Sequence, residues 1–317
     1  MSHTNSPKRV ARVSTPRRRV VGAAIAAAAS LALVAFAPGI ASGAAPNANW
    51  YWTMVVSPSS PKVLLLGTSS GIYRSDDGGG TWSPAGLANI NATSLAQAGG
   101  TIYAGGVSKP AHASAIVTKK GTYLVTPGQG VLASSSDGGK TWQHLHPSGL
   151  PNLEIAALAV DPAKTGDLYA VLRNGSVHLS TDGGRSFILV TSRIAGTPWA
   201  LALTKDGHLV AGDMSNGNYL SAAGKQWQHI PFTDSSGTHM VMEYAVDPTD
   251  PTHVLMTSYG IVSSADSGKS WHVALHSKVM FGPIAFASGN SSVAYAVGFN
   301  GSVWKSTDHG VSWTEVP

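Results

Sequence analysis

The 317-residue sequence contains no cysteine, which excludes structural disulfides, thiolate metal sites and a lipid-modified N-terminal cysteine. Charged residues are scarce, at 12% of the chain, and glutamate occurs only at Glu154, Glu243 and Glu315. A glycosidase needs two carboxylates roughly 5–10 Å apart, so this composition offers few positions for such a pair. Stability must come from side-chain packing, because no covalent cross-link is available.

The positive charge of the chain is concentrated at its N-terminal end. The formal net charge is +5 and the isoelectric point is near 9.4. Six of the 21 basic residues lie in residues 1–45, which contain no Asp or Glu, so residues 46–317 carry 15 basic and 16 acidic side chains. This near balance removes the main support for nucleic-acid binding, and we expect no nucleic-acid partner.

Residues 1–45 have the layout of an N-terminal export signal. A basic stretch that ends at Arg19 is followed by 18 mostly apolar residues, 20–37, and then by small residues. We interpret this segment as a signal peptide, cleaved after Ala41 or Ala44, or as an uncleaved N-terminal membrane-anchor helix. Either outcome places residues 46–317 outside the cell or in the cell envelope. The arginines at 17–19 also fit a loose twin-arginine pattern, so the export route stays open.

An eight-residue motif recurs along the rest of the chain. Five copies are intact, and a sixth has lost its aspartate and one residue. The copies occupy residues 75–82, 135–142, 180–187, 221–227, 264–271 and 306–313. Most copies begin about 42 residues after the previous one, a period typical of a repeat architecture, and one interval of 60 residues indicates an insertion.

The motif Ser-x-Asp-x-Gly-x-Thr/Ser-Trp/Phe resembles the Asp-box, or bacterial neuraminidase repeat, of sialidases, sortilin-type receptors, xyloglucanases and the photosystem II assembly propeller. The resemblance covers about residues 50–317 and implies an all-β fold, a β-propeller of four-stranded blades. Six boxes favour six blades over residues 46–317, with seven blades as the alternative. The long interval implies an insertion at about residues 107–129, between strands two and three of the second blade, as a lid, an extra hairpin or a tolerated surface loop.

Each box is expected to have a structural role, holding the turn between two strands of its blade. Its aspartate can accept backbone N–H groups inside a tight turn, its glycines allow positive φ, and its aromatic ring can fill the space between strands. The predicted structural residues are Asp77, Trp82, Asp137, Trp142, Asp182, Phe187, Asp266, Trp271, Asp308 and Trp313.

A candidate binding face follows from the same resemblance. In such propellers the box turns lie on one face, while the starts of the inner strands and the loops between strands two and three lie on the other. The candidate binding residues on that second face are Trp52, Trp199, Arg173, Tyr259, Phe299 and Glu243. Trp52 and Trp199 could be stacking platforms for sugar rings or a peptide, or plugs that close a narrow channel.

The sequence shows no recognisable catalytic set. Sialidases clamp their substrate with three arginines, but beyond the leader only Arg74, Arg173, Arg185 and Arg193 occur, and two of these lie in or beside a box. Glu243 is the one candidate catalytic carboxylate, and its neighbour Tyr244 should point to the opposite side of the strand. No ligand spacing for a metal and no cofactor motif is present.

We therefore interpret the chain as an exported recognition or scaffold module that binds a protein, peptide or glycan, with membrane contact only through an uncleaved N-terminal segment. A glycoside hydrolase is the alternative. In either case we expect no cofactor and no metal.

Overall fold

The computed structural model consists of β-strands and turns throughout the residues it describes. These are residues 44–109, 115–118, 121–124, 128–161, 164–194, 198–204, 206–213, 217–222, 224–232, 240–250, 252–288 and 290–317. The segment interpreted as a leader therefore lies almost wholly outside the described residues. Within these ranges, no helix is long and apolar enough to cross a membrane.

The first two repeats each contribute four antiparallel strands, and those of the first belong to a ten-stranded sheet because its first strand also pairs in parallel with a strand near the C-terminus. The long interval between boxes lies in the second repeat. The first consists of β1 (Tyr51–Val56), β2 (Leu64–Thr68), β3 (Gly71–Ser75) and β4 (Ser83–Pro84). The second consists of β5 (Ile90–Ala98), β6 (Thr101–Ser108), β9 (Gly130–Ser135) and β10 (Gln143–Leu145). Between β6 and β9, a separate hairpin pairs β7 (Ala115–Thr118) with β8 (Gly121–Leu124).

The next two sheets repeat this order without an insertion. The third consists of β11 (Ile155–Asp161), β12 (Lys164–Leu172), β13 (Val177–Ser180) and β14 (Ile188–Thr191). The fourth consists of β15 (Pro198–Leu203), β16 (His208–Asp213), β17 (Gly217–Ala222) and β18 (Gln228–Ile230).

The last six strands form two repeats, which share one long strand. They are β19 (Tyr244–Val246), β20 (Val254–Ser264), β21 (His272–Ala287), β22 (Asn290–Gly298), β23 (Val303–Ser306) and β24 (Thr314–Glu315). The 16-residue β21 pairs with β20 at its start and with β22 at its end. It therefore serves as the outermost strand of one repeat and the innermost strand of the next.

Hydrophobic cores lie between consecutive repeats. The buried side chains Leu65 and Ile90, for example, join the first sheet to the second, and the other cores continue in chain order. One core joins the last repeat back to the first through Val56, Tyr295 and Val303, and Val56 also pairs with Ala287. The innermost strands are buried almost continuously, because both of their faces pack against neighbouring sheets, and the sheets thus form a closed face-to-face series, as in a β-propeller.

Each intact box forms the same hydrogen-bonded turn. In the first box, Ser75 Oγ donates to Asp77 Oδ1 at 2.7 Å and accepts from the N–H of Gly79 at 2.8 Å. The N–H and hydroxyl of Thr81 donate to the two oxygens of Asp77 at 2.8 and 2.7 Å. Bonds of the same kind recur in the other four intact boxes. All of these partners lie within four residues, so the turn is specified locally.

The box aromatic residue closes the turn. The indole N–H of Trp82 donates to the carbonyl of Gly79 at 3.1 Å, and the same bond occurs in three later copies. Trp142 departs from this pattern, because its indole N–H donates to the carbonyl of Ala85 in the preceding repeat at 2.8 Å. That bond crosses between repeats and adds to the contact between their sheets.

The box turns lie beside the connections between first and second strands. The N–H of Gly78 donates to the carbonyl of Lys62 at 2.8 Å, and equivalent bonds join later boxes to Gly166, Thr252 and Ser292. We call this side of the domain the box face. The opposite side carries the starts of the innermost strands and the turns between second and third strands.

Candidate functional site

A row of stacked aromatic rings lies on the side opposite the box face. Trp50, Trp52 and Trp199 stack in series, with ring centroids 5.5 and 5.4 Å apart and planes within 15° of parallel. Phe299 meets Trp50 edge-on at 5.3 Å, and the guanidinium carbon of Arg173 lies 3.8 Å from the ring centroid of Trp199. We call these five residues the aromatic ladder.

Strand positions explain why residues so distant in sequence meet. Trp52 lies near the start of β1 and Trp199 near the start of β15. These innermost strands belong to sheets separated by two others along the chain, so the stack crosses the central axis of the domain. Arg173 follows β12 and Phe299 follows β22, each in the turn after a second strand.

Polar contacts fix the middle ring of the ladder and its Arg173 end. The indole N–H of Trp52 donates to Asn91 Oδ1 at 2.5 Å, which sets the orientation of its ring. Arg173 Nε donates to Glu154 Oε2 at 3.1 Å, and the Arg173 backbone N–H donates to the Glu154 carbonyl at 2.9 Å. Arg173 is therefore held over Trp199 by an ion pair, and a cation over an indole face contributes about 0.5–1 kcal/mol at an exposed site.

The ladder retains capacity for further contacts. Trp50 is 43% exposed, and Trp52, Trp199, Arg173 and Phe299 are only half-buried. Glu154 Oε1 and Arg173 Nη1 are buried and form no hydrogen bond with any residue that the structure describes. The arrangement therefore offers flat, partly exposed apolar rings that end in a guanidinium group, a combination suited to extended polypeptide or to sugar rings.

The structure brings together four of the six predicted binding residues: Trp52, Trp199, Arg173 and Phe299. Tyr259 lies within β20, opposite Met280, whose carbonyl accepts the N–H of Phe299 at 2.9 Å. Tyr259 is thus connected to the ladder by backbone pairing through Met280, and it lies in a strand rather than in the predicted loop.

Sequence reasoning missed Trp50, Asn91 and Glu154. The spacing of Trp50 and Trp52 in Trp-Tyr-Trp was the available signal for the first, because alternate residues of an extended segment share a side. Asn91 and Glu154 are polar residues that contact Trp52 and Arg173 from positions distant in the sequence, and nothing in their local sequence distinguishes them.

Glu243, the sixth predicted residue, lies beneath the ladder at the inner end of an axial cavity. The cavity has a volume of about 410 Å³ and is lined by the innermost strands of successive repeats. Glu243 accepts a hydrogen bond from the Thr53 hydroxyl, and Thr53 directly follows Trp52 of the ladder. Burial raises the pKa of Glu243 to about 8, although the bonds from Thr53 and from the Tyr244 N–H favour the charged form.

Tyr244 points away from the cavity carboxyl. Its hydroxyl donates to Asn218 Oδ1, and its ring packs 6.0 Å from that of Trp271. Burial raises the pKa of Tyr244 well above its usual value of 10.0. A tyrosine with this orientation and pKa does not form a nucleophile pair with Glu243.

No group of three potential His, Asp or Glu ligands gathers around a common point in the described part of the chain.

Together, the four-stranded antiparallel sheets and the recurring box turns define an all-β propeller built from bacterial neuraminidase repeats, as the motif predicted. The family model described as photosynthesis system II assembly factor YCF48 matches residues 55–317, and the chain belongs to this family. The specific resemblance to sialidases and sortilin-type receptors stays a prediction.

Solved structures share the fold at low sequence identity. A structure described as YCF48 bound to D1 peptide is 17% identical with a TM-score of 0.51, over 86% of this chain and 82% of that chain. YCF48 from Cyanidioschyzon merolae is 16% identical with a TM-score of 0.51, over 88% and 86% of the two chains. The GH74 xyloglucanase from Xanthomonas campestris is 16% identical with a TM-score of 0.54, over 85% of this chain and 53% of that chain.

These identities show a common fold alone. A comparison with curated protein sequences finds no match.

Proposed function

We propose that this chain is an exported, non-catalytic recognition propeller that binds an extended peptide segment of a partner protein on the aromatic ladder. The ladder itself is the observation that carries the proposal. Three indole rings in one row, ending in a guanidinium group, are a surface on which apolar side chains can stack while the partner's backbone bonds to polar groups.

Membership of the YCF48 family supports a binding or assembly role, since that family is named for assembly and one structural neighbour is described with a bound peptide. The D1 peptide is a ligand of that neighbour and is not assigned to this chain. In this chain the ladder's single arginine and uncharged rings favour a mostly apolar segment with a few polar groups.

Six blades are part of the proposal. The cavity is lined by residues of six innermost strands or their extensions, represented by Val55, Leu95, Leu158, Leu201, Ala245 and Ile284. These six correspond to the six boxes, including the worn copy at residues 221–227.

A peptide-binding assay tests the ladder. Peptides selected from a random 12-residue display library on the purified protein should bind at least tenfold more weakly to Trp52→Ala and Trp199→Ala, because an anchoring Trp contributes about 2 kcal/mol or more. Trp227→Phe, in the worn box, is the matched control and should bind as the unmodified protein does. Affinity that survives both ladder substitutions would exclude this site.

The same proteins distinguish the other candidate functions. Selective binding of oligosaccharides, lost in Trp199→Ala, would identify a glycan as the ligand. Turnover of chromogenic glycosides that disappears in Glu243→Gln would instead establish the glycoside hydrolase alternative.

Export is tested by the mass of the mature N-terminus. The Ala45 N–H donates to the Gly301 carbonyl at 2.8 Å, and Ala44 bridges to Ser302. Cleavage after Ala41 preserves both contacts, so we expect that site in preference to a cut after Ala44. Recovery, in the membrane fraction, of protein that still carries residues 1–41 would establish the anchored form.

A further inference from the structure

The axial cavity is distinct from the ladder because it opens on the other side of the domain. Its lining residues at the ends of the innermost strands, Pro58, Gly99, Pro248 and Ser288, are exposed. At the opposite end its lining residues are buried, apart from the partly exposed Glu243. The cavity is therefore a funnel with its mouth on the box face and a carboxyl group at its closed end.

The walls of this funnel are alkyl and aromatic. The lining side chains come from innermost strands and are buried in the domain; they include Leu95, Leu158, Leu201, Ile284 and Phe286. A volume near 410 Å³ falls within the range of about 300–1,000 Å³ typical of small-molecule sites. An apolar body of modest size can therefore replace water against these walls.

The charges that line the funnel have one sign. Glu243 and Asp247 are its ionisable carboxyl groups, and no Lys or Arg is found among the described residues that line it. Asp247 already has partners: it accepts the N–H groups of Thr249 and Asp250 at 2.8 and 3.2 Å, and the Nδ1 atoms of His253 and His309 lie 3.4 and 3.2 Å from its Oδ2. Glu243 has only the Thr53 hydroxyl and the Tyr244 N–H, and forms no ion pair within the described chain.

We propose that this cavity binds a small organic cation, an alkylammonium whose charged end contacts Glu243 and whose apolar body lies against the inner-strand side chains. The two carboxyl groups complement the cation, and the walls complement the body. An alcohol of the same size would gain only the apolar contact, and a carboxylate would be repelled.

The protonation state of Glu243 gives this proposal a distinctive pH dependence. With its pKa near 8, Glu243 must lose a proton before it can pair with an ammonium group. The affinity should therefore rise about tenfold per pH unit up to about pH 8, and then level off until the amine itself deprotonates near pH 10.4. The other ionisable groups around Glu243 do not reproduce this profile, since the pKa of Tyr244 is raised and that of Asp247 is lowered.

Calorimetric titration of the purified protein with hexylamine at pH 6, 7, 8 and 9 tests the proposal, with hexan-1-ol and hexanoate as matched ligands. We expect hexylamine to bind most tightly, with the rise between pH 6 and pH 8 described above. Glu243→Gln should weaken hexylamine binding at pH 8 at least tenfold and abolish the pH dependence, while leaving hexan-1-ol unaffected. Glu315→Gln, in the exposed β24, is the control variant.

Three results would overturn the proposal: equal binding of hexylamine and hexan-1-ol, hexylamine binding that persists in Glu243→Gln, or no binding at millimolar concentration. Thermal unfolding of each variant, measured in the same buffers, establishes that a loss of binding does not come from a loss of folding. None of these outcomes depends on whether a peptide occupies the ladder.

Discussion

The carboxyl of Glu243 makes the stability of the fold sensitive to alkaline pH, and Glu243→Gln should remove that sensitivity. Burial raises its pKa in the folded chain from the ordinary 4.5 to about 8. Because the folded state holds the proton more tightly than the unfolded state, the stabilisation is complete below pH 4.5 and is lost as the pH rises through 8.

The size of the effect follows from the pKa difference. Each pKa unit corresponds to about 1.4 kcal/mol, so the unmodified protein should lose about 3–4 kcal/mol of unfolding free energy between pH 5 and pH 8 through this group. Glutamine has nearly the same shape and does not ionise. Glu243→Gln should therefore be similar to the unmodified protein at pH 5 and more stable by that amount at pH 8.

Urea unfolding at pH 5 to 9, followed by tryptophan fluorescence, measures this difference. Comparing the two proteins cancels the contributions of every other titrating group, and Glu315→Gln controls for the loss of one carboxyl. Parallel stability profiles for Glu243→Gln and the unmodified protein would refute the reasoning, because they would show that Glu243 ionises as an ordinary glutamate does.

The box turns allow four further predictions. Ser180→Ala should cost about 1–3 kcal/mol of unfolding free energy, since the N–H of Gly184 then loses its buried acceptor; an unchanged urea midpoint would contradict this. Gly183→Ala should cost about 1–2 kcal/mol, because φ is 72° and a Cβ there meets only the Tyr103 hydroxyl, at 3.4 Å. In the same assay Ser267→Gly, at φ 62°, should raise the midpoint, and a fall would disprove the strain argument. Hydrogen bonds to the box aspartates lower their pKa values, so the stabilisation that these ionised groups give the folded state is complete above the ordinary pKa of 3.8 and is lost on further acidification. Tryptophan fluorescence from pH 4 to pH 1.5 should therefore show acid unfolding, and a flat signal would count against this prediction.

The geometry of Trp52 and Trp199 is compatible with both roles that the sequence left open, plug and stacking platform. Their rings stack across the axis, which is the geometry expected of plugs, and Thr53, the residue after Trp52, hydrogen-bonds to Glu243. Trp50 continues the stack outward and is 43% exposed, so the same row of rings is accessible as a platform. Closure of the axis and ligand stacking are compatible because each ring has two faces.

The box turns were predictable because all their partners are close in sequence. Ser75, Asp77, Gly79 and Thr81 meet within one turn, and five intact copies with a near-constant period identify a repeated β unit. The period and the β-rich runs before each box then favour a propeller, since four short strands per unit bury their faces only against neighbouring units.

The candidate sites were predictable only in part. Trp52, Trp199, Arg173 and Phe299 could be assigned to one face from their positions in the repeat. Their mutual contacts could not, because the ladder joins residues from several repeats, and its geometry depends on how far each strand start lies from the axis.

The sequence by itself thus determined the repeat, the box turns and the all-β class, since these rest on local hydrogen bonds and on periodic burial. Only the tertiary structure decided that Trp52 and Trp199 stack, that Arg173 covers one end of the row, and that Glu243 faces a closed apolar funnel rather than the ladder side. The physical reason is that stacking, cation–π contact and desolvation depend on distances between groups remote in the chain, which are fixed when the sheets pack around a common axis.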